Sequence, residues 1–122
     1  MDCRVVVEAA VPVYNVETTD EAIRIAIAKT GKMINPDLSY VEIRPATRSE
    51  GGEELPPAFI VADEALVALE LEMDVFNVTD EVHAERIVLS EIGQRVRDIP
   101  LGVLEIESID ETGPEDEDEI EN

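Results

Sequence analysis

Few side chains in this sequence have the means to do chemistry, and most of those are carboxylates. Glu8, Glu42, Glu70, Glu72 and Glu105 occupy the polar positions of segments in which apolar and polar residues alternate, so all five are expected on one face of a sheet. Clustered carboxylates can hold a hard divalent cation or share a proton. On an acidic protein the same cluster is also what an ordinary solvated face looks like. The other candidates are weaker. His83 stands alone between Glu81 and Glu85 and reads as a solvated surface residue rather than a general base. Cys3 opens a valine-rich strand and reads as a small core filler rather than a nucleophile. No serine sits in a nucleophile-elbow motif. Gly51-Gly52 lacks the following Lys-Ser/Thr of a phosphate loop and is surrounded by acids. No catalytic residue, no metal site and no cofactor is therefore assigned.

The elements that would position these carboxylates can be read along the chain. From Arg4 to Val16 the sequence is rich in β-branched residues, with Val5, Val7, Ala9, Val11 and Val13 on one face. Pro12 cannot donate to a ladder, so the far end of that strand should be an edge or a bulge. Thr18-Thr-Asp-Glu21 reads as a capping box, followed by Ala22, Ile23, Ala26, Ile27, Thr30, Met33 and Ile34 at helical spacing up to Asn35-Pro36. A short strand is predicted over 39–44, with Val41 and Ile43 inward. The stretch 45–57 is loop by composition, Ala58 to Ala62 is a brief apolar run, and the whole insertion covers about 45–64.

The clearest strand then follows, in which Val67, Leu69, Leu71, Met73 and Val75 alternate with Ala68, Glu70, Glu72 and Asp74. Thr79 can cap a second helix from Asp80 to about Asp98, with Ala84, Ile87, Val88, Ile92, Val96 and Ile99 buried. Pro100 ends it. A last strand runs over 103–109 with Leu104 and Ile106 inward, leaving Val103 beside Val6, Ala10, Leu66, Ala68 and Phe76 as the apolar part of the open face. Residues 110–122 are expected to be a disordered acidic tail.

The two halves echo each other. Val13-Tyr-Asn-Val16 and Val75-Phe-Asn-Val78 lie 62 positions apart, and at the same offset Glu8 falls on Glu70, Arg24 on Arg86 and Gly31 on Gly93. A strand–helix–strand unit written twice predicts an α+β domain of ferredoxin-like βαββαβ type over residues 1–109. In that order the first and third strands are central neighbours, which would place Glu8 and Glu70 near a pseudo-twofold axis. Gly31 and Gly93, late in their helices, are expected to mark close approach to a neighbouring element.

Composition narrows the function classes. The chain of 122 residues carries thirty acidic and nine basic side chains, a formal charge of −21, yet is 44% hydrophobic, enough for a core. Eight of the acids and none of the bases lie in 110–122, which leaves −13 on residues 1–109. Such a field repels phosphate backbones, so neither nucleic acid nor an anionic membrane is expected as a partner. An RNA-binding sheet would also need aromatic and basic residues on its open face, and both are scarce. With one cysteine there is no internal disulfide and no all-cysteine metal site within one chain. No apolar run approaches the roughly 20 residues that span a bilayer, and no signal peptide is evident, so a cytoplasmic location is expected. Only Lys29 and Lys32 are lysines, and acid-rich, lysine-poor surfaces stay hydrated in concentrated salt, which points to a halophilic source.

Several segments together resemble a known family. Asp2-Cys-Arg-Val-Val-Val-Glu-Ala-Ala10, Lys29-Thr-Gly-Lys-Met-Ile-Asn-Pro36, the run from Ala65 to Asn77, and Ile92-Gly-Gln-Arg95 are similar to uncharacterised archaeal protein family 0212, also called domain of unknown function 555. The resemblance covers residues 2 to about 109 and implies no reaction. Members typically carry a Cys-Pro-x-Cys-Gly knuckle after the second strand. Here those cysteine positions hold Arg48 and Gly51, so the metal binding that the knuckle implies does not carry over. A single Cys-x-x-Cys pair is half a tetrahedral zinc site, which in relatives would suggest pairing of two chains. The expected function is a non-catalytic interaction or regulatory module acting as a homodimer with an unknown protein partner. The alternative is an enzyme or small-ligand-binding protein that uses the open-face carboxylates with a divalent cation.

Overall fold

A computed structural model describes residues 1–34, 40–46, 48–50 and 53–109, with side chains left out of account at 48–50 and 53–55. The tail expected over 110–122 and the knuckle position Gly51 lie outside the described residues. Among the described residues the domain is α+β: one antiparallel sheet of five strands with two helices, and a separate two-stranded hairpin.

Two long strands form the centre. β1 (Cys3–Tyr14) and β6 (Glu64–Val75) pair antiparallel over their full length, from Cys3 opposite Val75 to Tyr14 opposite Glu64. Their alternation puts Val5, Val7, Ala9, Val11, Val67, Leu69 and Leu71 on the inner face, each fully buried. α1 (Thr19–Ile34) packs on β1, β2 (Glu42–Pro45), β5 (Ala58–Val61) and β6, and α2 (Glu81–Gly93) packs on β1, β6 and β7 (Leu101–Ser108). The sheet order is β2-β6-β1-β7, with β5 also on β6. β7 pairs with β1 only as far as Ala9, so Pro12 lies past the last rung, where its missing N–H breaks no ladder.

The local structures of the two halves recur 62 positions apart. Each central strand ends on a left-handed asparagine, Asn15 and Asn77, both with φ 60°. Such residues adopt this backbone more readily than most. Val16 then donates its N–H to the Asp63 carbonyl at 3.1 Å, and Val78 donates to the Met1 carbonyl at 2.9 Å. At α1 the Thr18 hydroxyl accepts from the Glu21 N–H at 3.1 Å, while Glu21 accepts from the Glu17 N–H at 2.9 Å. At α2 the Asp80 carboxylate accepts from the His83 N–H at 2.8 Å, while the His83 Nδ1 accepts from the Thr79 N–H at 3.1 Å. Both are reciprocal caps that satisfy donors a helix start leaves orphaned. His83 is thus a capping side chain, and the N-cap is Asp80 rather than Thr79.

Four expectations need correction. α2 stops at Gly93, not near Asp98, although Val96 and Ile99 still join the core from the turn beyond it. The insertion is not all loop: it contains β3 (Arg48–Glu50) paired with β4 (Glu53–Leu55), and then β5 as a strand of the main sheet. β7 carries a bulge, since consecutive Val6 and Val7 face Glu105 and Val103, with Leu104 as the extra residue. Leu104 is therefore 50% exposed, and Val103, not Leu104, packs inward with Ile106. The glycines are not forced by crowding, because a Cβ at Gly31 or Gly93 would meet only Ile43 Cδ1 at 4.0 Å or Leu101 Cδ1 at 3.9 Å.

The insertion leaves and rejoins the sheet at one residue: Ala46 donates to the Ala68 carbonyl at 2.9 Å, and Ala68 donates to the Pro57 carbonyl at 2.7 Å. β2 and β5 thus behave as one interrupted strand along β6. The turn from β5 into β6 holds Ala62 at φ 61°, where an L side chain costs about 1–2 kcal/mol. Ala62→Gly should relieve that cost while giving back up to about 1 kcal/mol of chain entropy. The thermal midpoint should rise by a few degrees, and a fall would mean that the methyl group contributes packing.

Candidate functional site: the open face of the sheet

With both helices on one face of the sheet, the other presents the polar side of each strand. All five carboxylates singled out in the sequence belong to it. β2 brings Glu42 opposite Glu72 and Arg44 opposite Glu70, while β1 brings Glu8 opposite Glu70 and Arg4 opposite Asp74. On the far side of β1, Glu105 faces Val6 and Glu107 faces Arg4. Glu8 and Glu70 are the one cross-strand pair whose members also stand 62 positions apart, so they sit where the two halves meet.

The carboxylates do not stand as a bare cluster, because two arginines thread it. Arg44 Nε reaches Glu70 at 3.1 Å, and its Nη1 reaches Glu72 at 3.1 Å and Glu42 at 3.3 Å. Arg4 Nε reaches Asp74 at 3.0 Å and Glu72 at 3.2 Å, and its Nη2 makes a second bond to Asp74 at 3.3 Å. Glu72 is shared, one oxygen on each arginine. The Glu70 and Glu72 side chains are only 18% and 22% exposed, so these contacts are partly withdrawn from water. The hydrogen bond and charge of Asp74 hold the Arg4 guanidinium above its ordinary range. Burial works against the charge on Arg44, but bonds to Glu72 and Glu70 and their fields outweigh it, so that guanidinium too is raised.

This arrangement separates the five. Glu42, Glu70 and Glu72 converge on Arg44, whereas Glu8 and Glu105 form no ion pair among the described residues. No group of three or more His, Cys, Asp or Glu side chains among the described residues is arranged to hold a metal ion. Sequence reasoning missed the arginines, although Arg4 shares the strand parity of Glu8 and Arg44 that of Glu42.

The other end of the face is apolar. Ala10 and Pro12 of β1, Leu66 and Ala68 of β6, and Phe59 of β5 line two adjoining depressions of about 430 and 190 Å³. Glu8 borders the smaller and Glu64 the larger. Phe59, Val61 and Tyr14 were not assigned to this face from sequence. Phe76, which was, stands 63% exposed in a different depression with Tyr40 and Ile87. Among the described residues no helix is long and apolar enough to cross a membrane.

Residues 3–109 match the model of a family described as a protein of unknown function, DUF555. A UPF0212 protein of Haloarcula marismortui is 64% identical over 121 residues, covering 98% of this chain and 74% of that one. A second, from Halobacterium salinarum, is 63% identical over 111 residues, covering 89% and 87%. A third, from Methanospirillum hungatei, is 43% identical over 110 residues, covering 88% and 98%. A de novo designed protein, Foldit4, aligns over 88% of this chain and 99% of its own at 22% identity, with a TM-score of 0.34.

Proposed function

The chain belongs to the DUF555 family of unknown function, and we propose that it is a non-catalytic interaction module, working as a homodimer in a high-salt cytoplasm. One observation carries this reading: the most buried carboxylates of the open face are already bonded to Arg44 and Arg4, while the end of that face around Phe59 and Leu66 is apolar and exposed. A face built this way is suited to contact rather than to turnover. Salt bridges occupy the oxygens a cation would need, and the groups free to act stand apart.

The fold of the module is a ferredoxin-like βαββαβ domain made from a duplicated strand–helix–strand unit. The order β2-β6-β1-β7 supports this, as do the matching caps, left-handed asparagines and strand-end bonds at the 62-residue offset. High-salt relatives and the lysine-poor acidic composition support the cellular setting.

The test is a melting experiment with magnesium or manganese at constant ionic strength. The parent should not respond beyond the effect of salt itself. A midpoint raised by several degrees in the parent and unresponsive in Glu8→Gln/Glu70→Gln would replace this reading with the cation-using alternative.

A further inference from the structure

Among the described residues the two edges of the sheet, β7 on one side and β2 with β5 on the other, differ in charge along their length. β7 exposes Glu105 and Glu107 and is bulged, and β2 exposes Glu42 and Arg44, features that discourage strand-to-strand pairing. β5 has none of these. The run Ala58-Phe-Ile-Val-Ala62 carries no charge, and among the described residues β5 pairs only with β6. Beside it lie four of the ten exposed large apolar side chains among the described residues: Phe59 at 68%, Val61 at 61%, Tyr14 at 56% and Leu66 at 52%. Concentration of this kind marks a contact surface rather than scattered exposure.

We infer that β5 pairs antiparallel with β5 of a second copy of this chain, joining two five-stranded sheets into one and bringing the two apolar patches together along the seam. This rests on the homodimer reading above and names its surface. Charge selects the occupant. A twofold interface sets a surface against itself, so on a chain of −21 its seam must be uncharged, and the run Ala58–Val61 is. The rim of the patch carries two carboxylates, Glu8 and Glu64, and one cation, Lys29, whose Nζ lies 5.8 Å from the Tyr14 ring and donates to the Pro12 carbonyl at 2.8 Å. A basic partner would find its complement in the acidic remainder of the surface instead. Strand parity fixes the register. With Ile60 on the axis, Phe59 of each copy faces Val61 of the other and both stay on the open side, while Ile60 faces its own copy on the inner side. Molar salt favours the contact, since it screens repulsion between copies but leaves apolar burial intact.

The experiment is sedimentation of the full chain in molar potassium chloride, with circular dichroism as the check on folding. The parent should be a dimer. Phe59→Asp and, independently, Val61→Asp should weaken it at least about 100-fold, because the twofold places each new charge twice at the seam, against the apolar Val61 or Phe59 of the other copy. Phe76→Asp, the same change at an exposed aromatic outside the patch, should leave the dimer intact. A monomeric parent would overturn the homodimer reading and this surface with it. A dimeric parent whose folded Phe59→Asp or Val61→Asp variant stays dimeric would overturn this surface alone, as would loss of the dimer in folded Phe76→Asp.

Discussion

Between dilute buffer and molar potassium chloride the thermal midpoint of this protein should rise by about 10 °C or more, equivalent to about 2 kcal/mol for a domain of this size. The first 109 residues carry −13 on their own. At 0.1 M salt, charges about 10 Å apart still feel one another, and at 1 M that reach falls to about 3 Å. Most of the acids have no basic neighbour to offset them, since nine basic residues face thirty acidic ones. Arg4 and Arg44 are also engaged with carboxylates that are among the least exposed. Salt weakens those ion pairs as well, but they are few and partly shielded, whereas the repulsion is spread over the whole surface.

The core makes the protein sensitive to that repulsion. Its buried side chains are mostly valine and alanine, with no aromatic among them, and the helices contribute the fully buried Ala22, Ala26 and Ala84. Small side chains bury less apolar area each, so the favourable term is modest and the charge term counts for more. A midpoint that stays flat across a salt series, measured by circular dichroism, would mean that the charges are neutralised locally and that the halophilic reading is wrong.

What the sequence made legible follows from which physical rules act locally. Strict alternation defined β1 and β6, because a one-residue slip would have turned Leu69 and Leu71 to water. The Glu8–Glu70 apposition followed from the 62-residue echo together with that pairing. The bulge was not legible: Val103-Leu-Glu-Ile106 offers two adjacent apolar residues, and only pairing with β1 decides which one turns inward. The end of α2 was also hidden, because Val96 and Ile99 reach the core from a turn at positions that continue the helical stripe. The cap was misplaced by one residue because both Thr79 and Asp80 are good N-caps, and the partnership of His83 with both settles it only in three dimensions. At the site, parity placed the carboxylates, but their pairing with arginines depends on β2 lying beside β6, a non-local fact.

Removing the arginine at the centre of that network should be the most damaging change on the open face. Arg44→Met keeps the aliphatic stem but leaves Glu42, Glu70 and Glu72 as neighbouring charges without their shared cation. A hydrogen bond to a charged group contributes about 1.5–3 kcal/mol in general, and a fully exposed ion pair about 0.2–1 kcal/mol. The Arg44 side chain is 40% exposed, while its partners on β6 are about half that, so solvent screening reduces the effect without cancelling it. The expected cost is about 2 kcal/mol at low salt, shrinking as salt is added. The direction of change at its neighbours separates a network from a merely acidic surface. Glu70→Gln should destabilise, because it removes a bonded partner. Glu8→Gln, facing Glu70 with no ion pair among the described residues, should be neutral or slightly stabilising as like-charge repulsion is relieved. Arg44→Met combined with Glu70→Gln should cost less than the two single changes added together, since once the cation is gone the carboxylate only repels Glu72 and Glu8. Melting curves of these four variants in dilute buffer decide it. If Arg44→Met melts with the parent, the face is ordinary solvated surface, and the apolar end is all that remains to distinguish it.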